Sequence, residues 1–350
     1  MTPKTLLFLA VLTIVSVAAA GVAVIERADQ FTAEATGVFM FPKLADQAND
    51  VAKITVKTRE ETSVVEKAPD GWIMKEKGGY PVEIGKVRKL VADLAGLRLI
   101  EAMTDQPEKY GKLEVQDVEK KDSRSKLVIL ENAKGEKLAS LIVGKLELIT
   151  SHANVPGLYV RRPGEKKSWR AQGELVVPHS SPNWLVERII DIKDKDIKSL
   201  AYKSGDAKEK PFTLTREAGD KPFTLDPKPE KGALKQDKAK DLAGALGELD
   251  LRDVRPADKV PFTTTVHHAT IETFDGLVIK TEAIKLMDKY WAKFTAEAKA
   301  PADAGSGLAK RVEAINKRIK GWVYEVVDYR AEKLMTGYKT LIDEKAKAGS

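Results

Sequence analysis

The sequence contains no cysteine among its 350 residues. This absence excludes disulfide bonds, thiolate metal sites and cysteine nucleophiles, and it fits an oxidising compartment, in which free thiols are a liability. Aromatic residues make up only 6% of the chain, whereas charged residues make up 32%, which is typical of a well-hydrated globular body. The length predicts two domains and a sizeable core.

Sequence motifs that identify a reaction are also lacking. We find no P-loop, dinucleotide fingerprint, zinc-protease helix or nucleophile elbow. His267 and His268 are adjacent in a predicted strand, so they point to opposite faces and cannot share one metal. His152 and His179 lie in loops, and His179 beside two serines is better interpreted as a loop residue than as part of a catalytic pair. No catalytic, cofactor-binding or metal-binding residue is predicted.

Carboxylates are abundant but follow no regular pattern. Asp191, Asp194 and Asp196 alternate with lysines, and the ligand spacing and central glycine of a calcium loop are missing. A hydrolase whose two catalytic carboxylates are brought together by the tertiary fold is an open alternative, because such pairing is spatial and leaves no sequence signal.

The net charge of +7 is spread along the chain rather than concentrated in one block. This distribution favours mild attraction to anionic surfaces over dedicated nucleic-acid binding. We therefore predict no nucleic-acid partner.

One long uncharged run stands near the N-terminus, from Thr5 to Ile25. About 20 apolar residues span a bilayer as a helix, so residues 1–28 predict a transmembrane anchor with a cytoplasmic N-terminus and an extracytoplasmic body. The alternative is a cleaved signal peptide, because Ala18-Ala19-Ala20 resembles a cleavage site. The apolar run continues past that site, which favours the retained anchor.

A pattern of three short β-rich runs and an amphipathic helix occurs twice. The first copy contains ITVKT, TSVVEK and GWIMKE, and the second contains IKSLAYKSG, PFTLTREAG and KPFTLDPK. Each predicted helix leads into an L-x-L run, and each is followed by a strand, a glycine turn and a strand. The leucines of the helix and of this run correspond in the two copies: Leu90, Leu94, Leu97 and Leu99 match Leu242, Leu246, Leu249 and Leu251.

These copies predict an α+β fold of two tandem related modules, each an antiparallel sheet packed on a helix. After the anchor we expect a juxtamembrane segment (29–50), the first module (51–150), a connecting hairpin and helix (151–196), the second module (197–298) and a C-terminal helix-strand-helix tail (299–350). The connecting helix is expected in SSPNWLVERIIDI, with Ser181 as its N-cap.

The most basic short stretch is YVRRPGEKKSWRAQG, residues 159–173. Its Pro-Gly pair between two β-rich runs predicts a hairpin tip. The side chains of the tip are expected to be exposed and to contact a partner or anionic lipid: Arg161, Arg162, Lys166 and Lys167.

Several segments in a fixed order resemble a known bacterial family. They are FPKLADQANDVAKITV, GWIMKEKGGYPVEIGKVRKLVADLAGLRLIEA, EKYGKLEV, GLYVRRPGEKKSWRAQGELVV, NWLVERIIDI and GWVYEVVDY. Their order and spacing resemble the family called domain of unknown function 4340, whose members are described as similar to auxiliary components of gliding-motility ABC transporters. The resemblance runs from Phe39 to Leu341. It departs at Lys112, where the family usually has leucine after Tyr-Gly.

The resemblance implies a single-pass protein of the bacterial inner membrane with its body in the periplasm, beside an ABC-type permease or another membrane protein. The family has no established catalytic residues, so the resemblance implies none in this chain. The sequence thus predicts a non-enzymatic accessory or scaffold protein without a cofactor. The alternatives are a periplasmic module that binds an envelope glycan or lipid, with Trp72, Trp169, Trp184, Trp291 and Trp322 as candidate platforms, and an envelope hydrolase with unrecognised carboxylates.

Overall fold

The computed structural model describes residues 37–147, 157–263, 265–300 and 305–344. Backbone contacts divide the chain into two units between Leu185 and Val186. The predicted anchor lies outside the described residues. Within them, no helix has both the length and the apolar character needed to cross a bilayer.

The first unit has these elements: β1 (Val38–Phe39), β2 (Val51–Lys57), β3 (Thr62–Ala68), β4 (Gly71–Met74), β5 (Tyr80–Pro81), α1 (Ile84–Gly96), β6 (Arg98–Ala102), α2 (Tyr110–Leu113), β7 (Lys126–Asn132), β8 (Lys137–Glu147), β9 (Gly157–Arg161) and β10 (Ser168–Gln172). Its 3-10 turns are Ala48–Asp50, Lys75–Lys77, Pro107–Lys109 and Ser181–Trp184.

The second unit has these elements: β11 (Arg188–Ile190), β12 (Ile197–Lys203), β13 (Phe212–Thr215), β14 (Thr224–Asp226), β15 (Ala233–Leu234), α3 (Gln236–Ala243), β16 (Leu249–Asp250), β17 (Asp253–Pro256), β18 (His267–Thr273), β19 (Leu277–Leu286), β20 (Lys289–Ala298), α4 (Gly307–Ile319), β21 (Trp322–Val326), α5 (Asp328–Leu334) and β22 (Ile342–Asp343). Its 3-10 turns are Asp194–Asp196, Gly244–Leu246, Ala257–Lys259 and Tyr338–Leu341.

Each unit is built on one antiparallel sheet with the same strand order. The sheet of the first unit runs β5-β4-β3-β2-β7-β8-β9-β10-β6-β1, and that of the second runs β14-β13-β12-β18-β19-β20-β21-β17. Eight strands therefore correspond in pairs along the two sheets: β4 with β14, β3 with β13, β2 with β12, β7 with β18, β8 with β19, β9 with β20, β10 with β21 and β6 with β17. Two short ribbons, β11-β16 and β15-β22, complete the second unit.

The correspondence extends to local irregularities. The register of β2 against β7 shifts between Val51 and Lys53, and that of β12 against β18 shifts between Ile197 and Ser199. A bulge of this kind inserts one residue and bends the strand, so the two sheets bend at the same point of their topology.

In each unit the helix lies between corresponding strands of the main sheet, after β4 and before β6 in the first and after β14 and before β17 in the second, and the aligned leucines are buried in the helix and in the segment that follows it. In α1 the Glu83 side chain accepts a hydrogen bond from the Gly85 N–H and caps the helix. The buried positions are Leu90, Leu94, Leu97 and Leu99 in the first unit and Leu242, Leu246, Leu249 and Leu251 in the second. Helical spacing explains the burial of the three leucines that lie within the helices, Leu90, Leu94 and Leu242.

The units include segments that the sequence analysis placed outside the modules. The β9-β10 hairpin, assigned to the connection 151–196, pairs with β8 and β6 inside the first sheet. From the tail 299–350, β21 pairs with β20 and β17 inside the second sheet. Strand pairing, which the local pattern does not encode, accounts for the difference.

The prediction of a helix in SSPNWLVERIIDI is wrong. The segment forms a single 3-10 turn at Ser181–Trp184, and β11 follows. Leu185 bridges to Val82, and the Glu83 N–H donates to the Trp184 carbonyl at 2.9 Å. These backbone bonds hold the chain extended, so that apolar side chains are buried on both of its sides and the helical period is lost.

β20 pairs with β21 only from Tyr290 to Ala292, and at Ala296 the side chain of Asn316 on α4 takes the place of a neighbouring strand. Its amide donates to the Ala296 carbonyl at 2.7 Å and accepts from the Ala296 N–H at 3.0 Å. We expect Asn316→Ala to lower the stability of the second unit by about 1–3 kcal/mol, because both backbone groups lose a partner. Amide hydrogen exchange at Ala296 measures the effect. The exposed neighbour provides a control: Lys317→Ala should leave exchange at Ala296 unchanged.

Candidate functional site

Arg161, predicted to be an exposed contact residue, is buried, with 3% of its surface exposed. Its guanidinium donates to the Val115 carbonyl at 2.9 Å, to the Glu165 carbonyl at 2.9 Å and to the Asp117 carboxylate at 2.5 Å. It also stacks on the Tyr110 ring, 4.6 Å from the ring centroid. The prediction of an exposed Arg161 is therefore wrong. A rigid donor fork of this kind suits several acceptors at once.

Arg161 fastens the connection between β6 and β7 to the tip of the β9-β10 hairpin. Tyr110 at the start of α2 donates to the Lys166 carbonyl in that tip. Tyr110, Val115, Ile142 and Tyr159 form a small buried cluster on the sheet. Gly144 of β8 leaves the room this packing needs, since a Cβ there would lie 2.3 Å from the Leu113 carbonyl.

The other three predicted contact residues lie closer to the surface. Lys166 is exposed. Arg162 is half-buried, with its guanidinium donating to the Met40 carbonyl at 2.9 Å and lying 3.6 Å from the Glu165 carboxylate. Lys167 is half-buried, and its ammonium lies 5.4 Å from the centre of the Trp169 ring. The hairpin tip thus presents Lys166 fully and the other two in part, and contact with a partner or lipid stays a prediction for these three.

A groove of about 660 Å³ lies beside the tip. Arg161 and Lys166 line it together with residues that the sequence analysis did not select. Its charged lining residues are Lys120, Lys121, Arg161 and Lys166 against Glu108, Asp117, Asp122 and Glu165. The four cations and four anions balance, so the groove suits a surface with charges of both signs better than a simple anion. Four of the missed charged residues belong to one charged run, DVEKKDSR, whose composition is the signal that could have found them: Asp117, Lys120, Lys121 and Asp122.

The second unit carries a groove beside the corresponding connections. It has a volume of about 440 Å³ and is lined by residues from β20, the end of α4 and the start of β21. Trp322 opens β21 opposite Pro256, as Trp169 stands opposite Ala102. The lining contains Lys293 and Lys320 and, among the described residues, no carboxylate. The two grooves therefore differ in charge, although their place in the topology is similar.

The tryptophans proposed as platforms fall into two groups. Trp169, Trp184 and Trp291 are buried, so they cannot bind a ligand by stacking at the surface. Trp72 and Trp322 are half-buried. Of these two, Trp322 lines the groove of the second unit, so it stays a candidate platform for a ligand.

His152 lies outside the described residues, and His267 and His268 are adjacent in β18. His267 is half-buried and His268 exposed. Asp191 accepts from the Glu248 N–H at 3.0 Å. Within the described part of the chain, no three His, Asp or Glu side chains gather closely enough to hold a metal ion.

His267 is expected to make the second unit sensitive to acid. The Tyr202 hydroxyl and the His267 Nδ1 atom lie 2.7 Å apart. Burial lowers the pKa of His267, with a smaller contribution from His268, against the opposing charges of Asp206 and Glu209. The folded pKa of His267 lies below its unfolded value of about 6.5, so folding favours the neutral imidazole. The free energy of unfolding is therefore highest above the unfolded pKa and decreases as the pH falls through the folded pKa.

We therefore expect thermal stability to fall between about pH 7 and pH 5, and to fall less in His267→Gln. Thermal unfolding at both pH values measures this, with His268→Gln as the exposed control. An equal loss in the wild-type chain and His267→Gln would show that another group carries the acid sensitivity.

Comparison with known proteins gives one match. The family model described as a domain of unknown function (DUF4340) matches residues 72–265, which is more than half of the chain and extends from β4 to the connection before β18. No curated protein and no solved structure matches.

Proposed function

Because the chain belongs to the family described as a domain of unknown function (DUF4340), we propose its role from its own geometry and from the resemblance. The chain is a non-enzymatic scaffold, anchored in the bacterial inner membrane by residues 1–28, that holds a permease of an ABC-type transport system from the periplasmic side. The two units arose by duplication of one sheet-and-helix module.

The common strand order supports this proposal. The features that the two units share are architectural: the buried leucines in and after the helix, and the bulge in β2 and β12. The side chains beside the corresponding connections differ, with a groove of balanced charge in the first unit and a groove without carboxylates in the second. Two copies of one fold that carry different surface side chains suit a protein that makes two different contacts.

The test is affinity purification of the tagged full-length chain from solubilised membranes, with mass spectrometry of the co-purifying proteins. We expect an ABC-type permease and its ATPase. The combined variant Arg162→Glu, Lys166→Glu, Lys167→Glu should lose them, because it reverses the charge of the hairpin tip. The matched control is Lys134→Glu with Lys137→Glu, two exposed lysines in the β7-β8 turn and at the start of β8. A chain that purifies alone would contradict the scaffold role.

A second candidate, a module that binds an envelope glycan, is favoured by the groove at Trp322. A half-buried ring beside Thr295 and two lysines is a suitable platform for an acidic sugar, since the ring can stack on the sugar face and the lysines can pair with its carboxylate. Titration with acidic oligosaccharides, followed by tryptophan fluorescence, tests it. Loss of the signal in Trp322→Leu, with Trp72→Leu as the control, would support it, and no binding by the wild-type chain would contradict it.

A further inference from the structure

The tip of the β19-β20 hairpin carries the most exposed of the large apolar side chains among the described residues. Met287 is 88% exposed. It lies in a two-residue turn, because Leu286 pairs with Lys289. Its φ of 55° is in the left-handed region, where a residue with a Cβ is strained and glycine or asparagine is usual. A side chain that is 88% exposed packs little against the fold, so this strained apolar residue is available for binding.

The residues around Met287 are those of a membrane-water interface. Lys285 and Lys289 are exposed on either side of the turn. The Lys285 ammonium lies 5.1 Å from the centre of the Tyr290 ring, and Lys289 pairs with Glu325 at 2.6 Å. Asp288 is the acidic residue within the turn. Exposed lysines and a tyrosine directly behind an apolar tip match the composition of interfacial segments.

The corresponding hairpin of the first unit repeats part of this pattern. Lys145 and Leu146 stand near the end of β8, as Lys285 and Leu286 stand at the end of β19. The Lys145 ammonium lies 5.8 Å from the centre of the Tyr159 ring, and Leu146 is 54% exposed. The same hairpin in both units therefore combines an exposed apolar side chain with a lysine over a tyrosine.

We propose that the β19-β20 tip touches an anionic phospholipid surface, with Met287 inserted among the acyl chains and Lys285 at the headgroups. One methionine buries too little apolar area to hold a protein of this size on a bilayer. The contact works only if another segment keeps the chain at the membrane, so this inference rests on the anchor of the proposed function. The tip would then fix the orientation of the second unit against the bilayer.

The absence of cysteine makes the test direct. Met287→Cys gives a single labelling site for an environment-sensitive fluorophore on the full-length chain, reconstituted in vesicles of equal parts phosphatidylcholine and phosphatidylglycerol. We expect a blue-shifted emission and quenching by nitroxide-labelled lipids. The matched control is Lys221→Cys, an exposed residue of the β13-β14 connection, whose label should be neither shifted nor quenched.

Two further variants test the residues themselves. With the label at Asp288→Cys, the change Met287→Asn should abolish quenching, because asparagine tolerates the left-handed backbone and removes the apolar side chain. Lys285→Glu should weaken quenching in phosphatidylglycerol vesicles and leave it unchanged in phosphatidylcholine alone.

The outcomes separate the two proposals. A chain that floats with the vesicles but shows equal signals at positions 287 and 221 overturns the tip contact and leaves the anchor standing. A blue shift at 287 without lipid quenching also overturns it, and indicates a protein surface instead. A chain that does not float with vesicles overturns the anchor, and the tip contact with it.

Discussion

Arg161→Ala is expected to lower the stability of the first unit by about 3 kcal/mol. The guanidinium is buried and donates to Val115, Asp117 and Glu165, and removing one partner of a buried charged network leaves the others unsatisfied. The connection between β6 and β7 would lose its attachment to the hairpin. Amide exchange at Val115, whose N–H bonds to the Tyr110 carbonyl at 3.1 Å, reports the loss directly.

Two comparisons make this result specific. Arg161→Lys should recover only part of the stability, because a lysine ammonium cannot reproduce the planar fork. Arg162→Ala, at the half-exposed neighbour, should cost less than about 1 kcal/mol. Equal effects of Arg161→Ala and Arg162→Ala would refute the assignment of Arg161 as the fastening residue.

Gly144→Val is expected to destabilise the same region by at least about 3 kcal/mol. A Cβ at position 144 would lie 2.3 Å from the Leu113 carbonyl and 2.7 Å from a Val115 methyl. The oxygen belongs to the backbone and cannot rotate away, so the connection must lift off the sheet. Thermal unfolding, together with exchange at Val115, measures the outcome.

Gly144→Ala should already show most of this loss, since the first added carbon makes the clash. The control is Gly96→Ala at the end of α1, where a Cβ meets nothing within 4 Å and alanine is the better helix former. It should be neutral or slightly stabilising. A well-folded Gly144→Val chain with normal exchange at Val115 would mean that the connection does not pack on β8 as described.

The sequence predicted those elements whose signal is local. Alternation and glycine turns marked β7, β8, β18 and β19, and the helical spacing of leucines marked α1 and α3. The antiparallel sheets and the α+β class followed from these patterns, and the comparison with known proteins bears out the family itself. The association with ABC-type transport stays a prediction.

The errors arose where pairing between distant segments overrides a local pattern. SSPNWLVERIIDI has helical spacing, but Leu185 bridges to Val82, 103 positions earlier in the chain. Arg161 lies in a hairpin rich in charge, where exposure is the usual expectation. Its acceptors Val115 and Asp117 come from a connection that no sequence pattern placed beside the hairpin.

The sequence by itself determined the composition-dependent properties of this protein: freedom from disulfides, a spread positive charge and an uncharged run near the N-terminus. Tertiary structure decided which charges face water and which hold the fold. The reason is physical, because the burial of a side chain depends on which segments the sheet brings together. Two neighbouring arginines of the same chemical type differ in exposure and in role: Arg161, the last residue of β9, is buried against Val115 and Asp117, whereas Arg162 is half-buried and donates to the Met40 carbonyl.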